Sequence, residues 1–171
     1  AKDVTTYINQ QRVTADIANA AVTSDKLASV PFLSLMRDAA LSIPSGGVVT
    51  TLIPMTLSER VAGIQAPAFD VTNGRAIIRR EGLYRVSGSI YCAPAAAPAT
   101  SIVECIVQVY GAQAFIGSAA AALNTSVTVY ACKTVRLLMG QVVELRCYQD
   151  TGAVLALSTD ASRRPRLQIE Y

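Results

Sequence analysis

From residue 48 to the C-terminus, apolar and polar residues alternate with a period of two, the spacing of strands with one covered face. The pattern runs through VVTTLIPMTL (48–57), APAFDVTN (66–73), RAIIRR (75–80), LYRVSGSIYC (83–92) and SIVECIVQVY (101–110). It continues through SVTVYACKTVRLL (126–138), QVVELRCYQ (141–149), AVLALST (153–159) and RLQIEY (166–171). Turn signals stand between these runs: Gly46-Gly47, Pro67, Asn73-Gly74, Glu81-Gly82, Gly111, Gly140 and Thr151-Gly152. In 103–109, Val103, Cys105, Val107 and Val109 share one face, and Glu104, Ile106 and Gln108 the other. The last run turns Leu167, Ile169 and Tyr171 inward and Arg166, Gln168 and Glu170 outward. Many short strands without amphipathic helices between them predict an all-β, antiparallel sandwich or barrel. PAAAPAT (94–100) and GSAAAALN (117–124) read as end loops, with helical turns favoured by alanine in the second.

Residues 1–44 have another texture. VTADIANAA (13–21) is followed at once by VTSDKLASV (22–30), a nine-residue tandem repeat sharing V-T-x-D. Two copies are too few for a solenoid. Asp16 and Ser24 are candidate helix caps, but apolar positions are too sparse for a separate core. The pattern therefore predicts a short extended or helical arm with its linker, 1–45, and a head domain, 46–171. The arm becomes ordered by packing on another chain. Its contact candidates are Val13, Thr14, Asp16, Ile17, Val22, Thr23, Asp25 and Leu27.

Composition narrows the function. The chain has 171 residues, 51% hydrophobic and 16% charged, too apolar for disorder and long enough for one core. No stretch reaches the ~20 apolar residues of a membrane helix, and the start lacks the layout of a secretory signal. Net charge is only +3, which does not indicate nucleic-acid binding. The densest basic cluster, Arg163-Arg164-Pro165-Arg166, reads as a solvated loop. Cys92, Cys105, Cys132 and Cys147 stand apart and histidine is absent, so zinc-ligand spacing is missing. Three of these cysteines fall on apolar faces and read as buried free thiols, which points to a cytoplasmic site of synthesis. Without histidine, a paired-carboxylate motif or a phosphate-binding glycine loop, no catalytic residue, cofactor or metal is expected. Tyr91, Ile106, Tyr110 and Tyr130 lie opposite the inferred core, and such residues suit burial between subunits.

Motif order adds a resemblance. Phe69-Asp70 and Asn73-Gly74 precede Gly82-x-Tyr84 and its long strand. Leu137, Gly140, Val143 and Leu145 follow, and an apolar strand closes the chain. Residues 48–171 thereby resemble the tumour necrosis factor and complement globular-head superfamily, although SGSIYC and VECIVQV carry fewer aromatics. The resemblance implies a jelly roll assembled as a compact homotrimer. Val22, Thr23, Lys26, Leu27 and Ala28 resemble the V-T-x-x-K-L-A repeats of phage tail-fibre and related virion proteins. Together these imply a homotrimeric capsid decoration or head-fibre protein on a virion surface, with the major capsid protein or another virion protein as partner. The alternative is the receptor- or glycan-binding tip of a tail fibre, with a host-surface glycan held by the end loops.

Overall fold

A computed structural model of the chain describes residues 30–46, 50–63, 65–93, 101–110, 114–120 and 126–171. The strands are β1 (Phe32–Met36), β2 (Ser42–Ile43), β3 (Thr51–Ile53), β4 (Leu57–Ala62), β5 (Ala68–Asp70), β6 (Arg75–Ile77) and β7 (Gly82–Cys92). They continue with β8 (Ile102–Val109), β9 (Ala114–Ala120), β10 (Val127–Leu137), β11 (Val142–Gln149), β12 (Leu155–Ala156) and β13 (Arg166–Glu170). One sheet has the order β10-β7-β13-β1-β4. The other runs β5-β6-β11-β8-β9, with β3 also on β11, and β12 pairs with β2. Every named pairing is antiparallel. No helix occurs among the described residues. The fold is an antiparallel jelly-roll sandwich: the alternation predicts an antiparallel sandwich or barrel, and the motif resemblance implies the jelly roll.

The core lies between the two sheets. Tyr84, Val86 and Ile90 of β7 and Leu167 and Ile169 of β13 face Val103, Cys105, Val107, Val109, Val143 and Leu145 of the second sheet. Gly88 interrupts the apolar side of β7 because the sheets approach closely there. A Cβ at this position would lie 2.5 Å from Leu145 Cδ1 and 2.8 Å from Val107 Cγ2. The glycine thus makes room for two branched side chains from the opposite layer.

Four expectations are corrected. Phe32–Met36, assigned to the arm and linker, is a strand hydrogen-bonded between β13 and β4, with Leu33 and Leu35 fully buried. The sandwich therefore begins by residue 32, well before 46. The single run expected over 48–57 is two strands in different sheets. Pro54 stands at the crossing, where it has no N–H to give to a ladder and its carbonyl takes the Arg37 guanidinium at 2.7 Å. Ala114–Ala120 is strand β9 instead of a loop or helical turn. Tyr171 is 41% exposed rather than inward.

The Gly-x-Tyr motif has a local cause. Tyr84 is fully buried and donates its hydroxyl to Arg80 O at 2.7 Å. The Tyr171 ring meets it edge-on at 5.1 Å and lies where a Gly82 Cβ would be. A side chain at Gly82 would displace the C-terminal ring, which crosses the start of β7. The Asn73-Gly74 turn is equally specific. Asp70 accepts from Asn73 Nδ2 at 2.8 Å and Arg75 Nε at 3.3 Å. Gly74 has φ +66° and sits against the Pro54–Met55 backbone, which leaves no room for a side chain.

Candidate functional site

The outer face of the β10-β7-β13-β1-β4 sheet holds a concavity. Antiparallel register lines up Cys132, Ser87 and Gln168 in one row and Tyr130, Ser89 and Arg166 in the next. Because period-two side chains stand on one face, small polar residues form a low floor between taller neighbours. The result is a groove of about 600 Å³, lined by Ser87, Ser89, Thr128 and Gln168, with Arg85, Arg163, Arg164 and Arg166 around them.

The arginines are held in place. Arg163 lies over the Tyr91 ring, 4.9 Å from its centroid, and donates to the Tyr91 hydroxyl at 2.9 Å. This stacking and hydrogen bonding fix a guanidinium that would otherwise sample many rotamers. Arg164 Nε donates to Thr159 O at 3.0 Å. Arg37 N bonds Pro165 O at 3.1 Å, tying the 158–165 loop to the sheet. Arg166 is paired with Glu59 at 3.5 Å, and Ser34 donates to the same carboxylate. Cys132 first, and then Glu170, raise the Arg85 pKa above its ordinary value. The Asp160 carboxyl is held below the usual range first by the Ser162 backbone N–H, with Arg163 and Arg164 adding smaller contributions. Glu59, Asp160 and Glu170 border the arginines, but the groove lining itself contains no carboxylate.

The four subunit-contact candidates separate into two pairs. Tyr91 and Tyr130 both line the groove, and Tyr130 is 68% exposed. Ile106 and Tyr110 belong to the other sheet. Ile106 is only 5% exposed in the single chain, opposite Arg146 and Ile116 in its ladders. The Tyr110 hydroxyl accepts from Arg146 Nη2 at 3.2 Å. A flat contact on one sheet face therefore cannot bury all four. The arm candidates Val13, Thr14, Asp16, Ile17, Val22, Thr23, Asp25 and Leu27 lie outside the described residues. Sequence reasoning missed the groove because Arg85, Tyr130 and Arg166 are distant in the chain. Only strand register brings them together.

The cysteines divide as their faces imply. Cys92, Cys105 and Cys147 are buried and Cys132 is exposed. Burial pushes the Cys105 thiol up to about 12, and a thiol–thiol hydrogen bond with Cys92, followed by burial, raises Cys147. A thiol reagent is expected to modify no more than Cys132 in native protein and all four cysteines after unfolding. Native-state modification of Cys105, located by peptide mass, would contradict the core assignment. No group of three or more metal-ligating side chains occurs among the described residues.

No family model matches the chain, and no curated protein sequence matches it. Solved structures do. Murine APRIL at pH 5.0 is similar with TM-score 0.62 and 10% identity, over 84% of this chain and 100% of that chain. Eiger TNF from S. frugiperda gives 0.58 at 9% identity, over 84% and 93%. The globular domain of zebrafish complement 1qA protein gives 0.56 at 12% identity, over 82% and 95%. At such identities, what is shared is the jelly-roll fold.

Proposed function

We propose that this chain is a structural protein of a bacteriophage surface. It forms a homotrimeric capsid decoration or head fibre, with the segment before β1 as its attachment arm. The observation that carries the reading is the separation of roles along the chain. A complete sandwich runs from Phe32 to the C-terminus, while the tandem repeat that resembles phage fibre repeats lies wholly upstream of it. Tyr171 N bonds Pro31 O at 2.9 Å, so the residues that open β1 lie beside the end of the last strand. The fold seen in the tumour necrosis factor and complement structures supports a trimeric head. A three-fold ring needs a heterologous contact, in which two different patches meet. The Tyr91–Tyr130 face is one such patch. Ile106 is already buried within the single chain.

Three arms on one head strengthen attachment by multivalency even when each binds weakly. Deleting residues 1–29 is expected to leave a folded head of unchanged oligomeric state that no longer co-sediments with particles. Particle binding retained by the truncated head would reject the arm and move attachment to the sandwich.

A further inference from the structure

We propose that the groove between β10, β7 and β13 is an oxyanion site, filled by a phosphate- or sulfate-class dianion that completes the subunit contact. Its place in the contact rests on the trimer reading; the site itself rests on the groove. Four arginines border one concavity whose lining carries no carboxylate. Glu59 answers Arg166 and Glu170 acts on Arg85. Arg163 and Arg164 make their side-chain hydrogen bonds to the neutral Tyr91, Thr159 and Met36 sulfur, while Asp160 acts on both and Asp38 on Arg164 from outside the groove lining. Covering such guanidinium groups with a second subunit removes water from them, and an uncompensated buried charge is strongly unfavourable. An oxyanion in the groove offsets that cost from inside the contact, where the lining itself carries no carboxylate.

The geometry selects its chemistry. Guanidinium forks match tetrahedral oxyanions with paired, charge-assisted hydrogen bonds. Ser87, Ser89 and Thr128 line the same groove and offer hydroxyl donors for remaining oxygens. The Tyr91 stack and the tethered 158–165 loop hold Arg163 and Arg164 before any ligand arrives, which lowers the ordering cost of binding. A volume of about 600 Å³ exceeds what one such ion fills, leaving space for side chains of a neighbouring copy.

The test compares sodium phosphate and sodium sulfate with sodium chloride at matched ionic strength, using the full chain. Titration calorimetry is expected to show saturable phosphate and sulfate binding. The Arg163→Gln and Arg164→Gln variants should each weaken it by about tenfold or more, with melting temperature in chloride unchanged. Light scattering on dilution should show the oligomer persisting to lower protein concentration in phosphate. Phosphate and sulfate heats indistinguishable from chloride, or variants that bind like the parent, would overturn the site. A monomer in every buffer with Arg163-dependent phosphate binding would keep the site and reject its role in a subunit contact.

Discussion

Removing residues 1–45 is expected to unfold the protein, whereas removing 1–29 leaves the head intact. The two deletions differ by sixteen residues, but those residues contain β1 and β2. β1 forms ladders with β13 on one side and β4 on the other, so its loss opens the centre of a five-stranded sheet. Leu33 and Leu35 are fully buried, and each contributes about 2 kcal/mol by burial alone. Arg37 would also vanish from the Pro54 corner, where it bonds Pro54 O and Ala40 O. Unpaired ladder groups along β13 add to the deficit. Against a typical domain stability of about 5–15 kcal/mol, this sum leaves no cooperative fold. Circular dichroism with thermal melting checks it. A cooperative transition in the 46–171 fragment would show that β1 is dispensable.

The second large effect is expected at Gln149, a fully buried amide in β11. Its Nε2 donates to Ile43 O at 3.0 Å and Ala153 O at 2.8 Å. Its Oε1 accepts from Thr151 N at 2.8 Å and Thr151 Oγ1 at 2.7 Å. One side chain thus satisfies backbone groups on β2 and on the loop after β11. Gln149→Leu keeps the volume but strips Thr151 N and Ile43 O of this amide in a buried site, while Thr151 Oγ1 and Ala153 O keep each other at 3.2 Å. Because each unsatisfied buried group costs about 1–3 kcal/mol, a loss of about 4 kcal/mol is expected. Urea denaturation measures it. A change below about 1 kcal/mol would mean that the loop rearranges or admits water at little cost.

The long strands were legible because their two faces differ in chemistry. In β7, Tyr84, Val86, Ile90 and Cys92 point inward while arginine and serine occupy intervening positions. β1 hid for the opposite reason. Phe32 and Met36 on its outer side are as apolar as Leu33 and Leu35 on the inner, which erases the alternation. β9 hid in composition, since alanine and glycine are poor strand formers. Its smallness has a structural cause: Gly117 abuts the Tyr130 backbone of β10, where the sheets come together at one edge. The groove was the least legible feature. Tyr91 reads as an apolar contact and Arg163 as loop charge, and their stacking depends on how the 158–165 loop folds back on β7. The separation of Tyr91 and Tyr130 from Ile106 and Tyr110 likewise depends on which strand joins which sheet. Alternation within each strand does not encode that partition.

The central claim, a sandwich head that works as a homotrimer, meets its most direct test in the solution mass of the full chain. Light scattering coupled to size exclusion, at micromolar concentration in phosphate buffer, is predicted to give about three times the 18.0 kDa chain mass. A stable species at the mass of one chain under those conditions would contradict it.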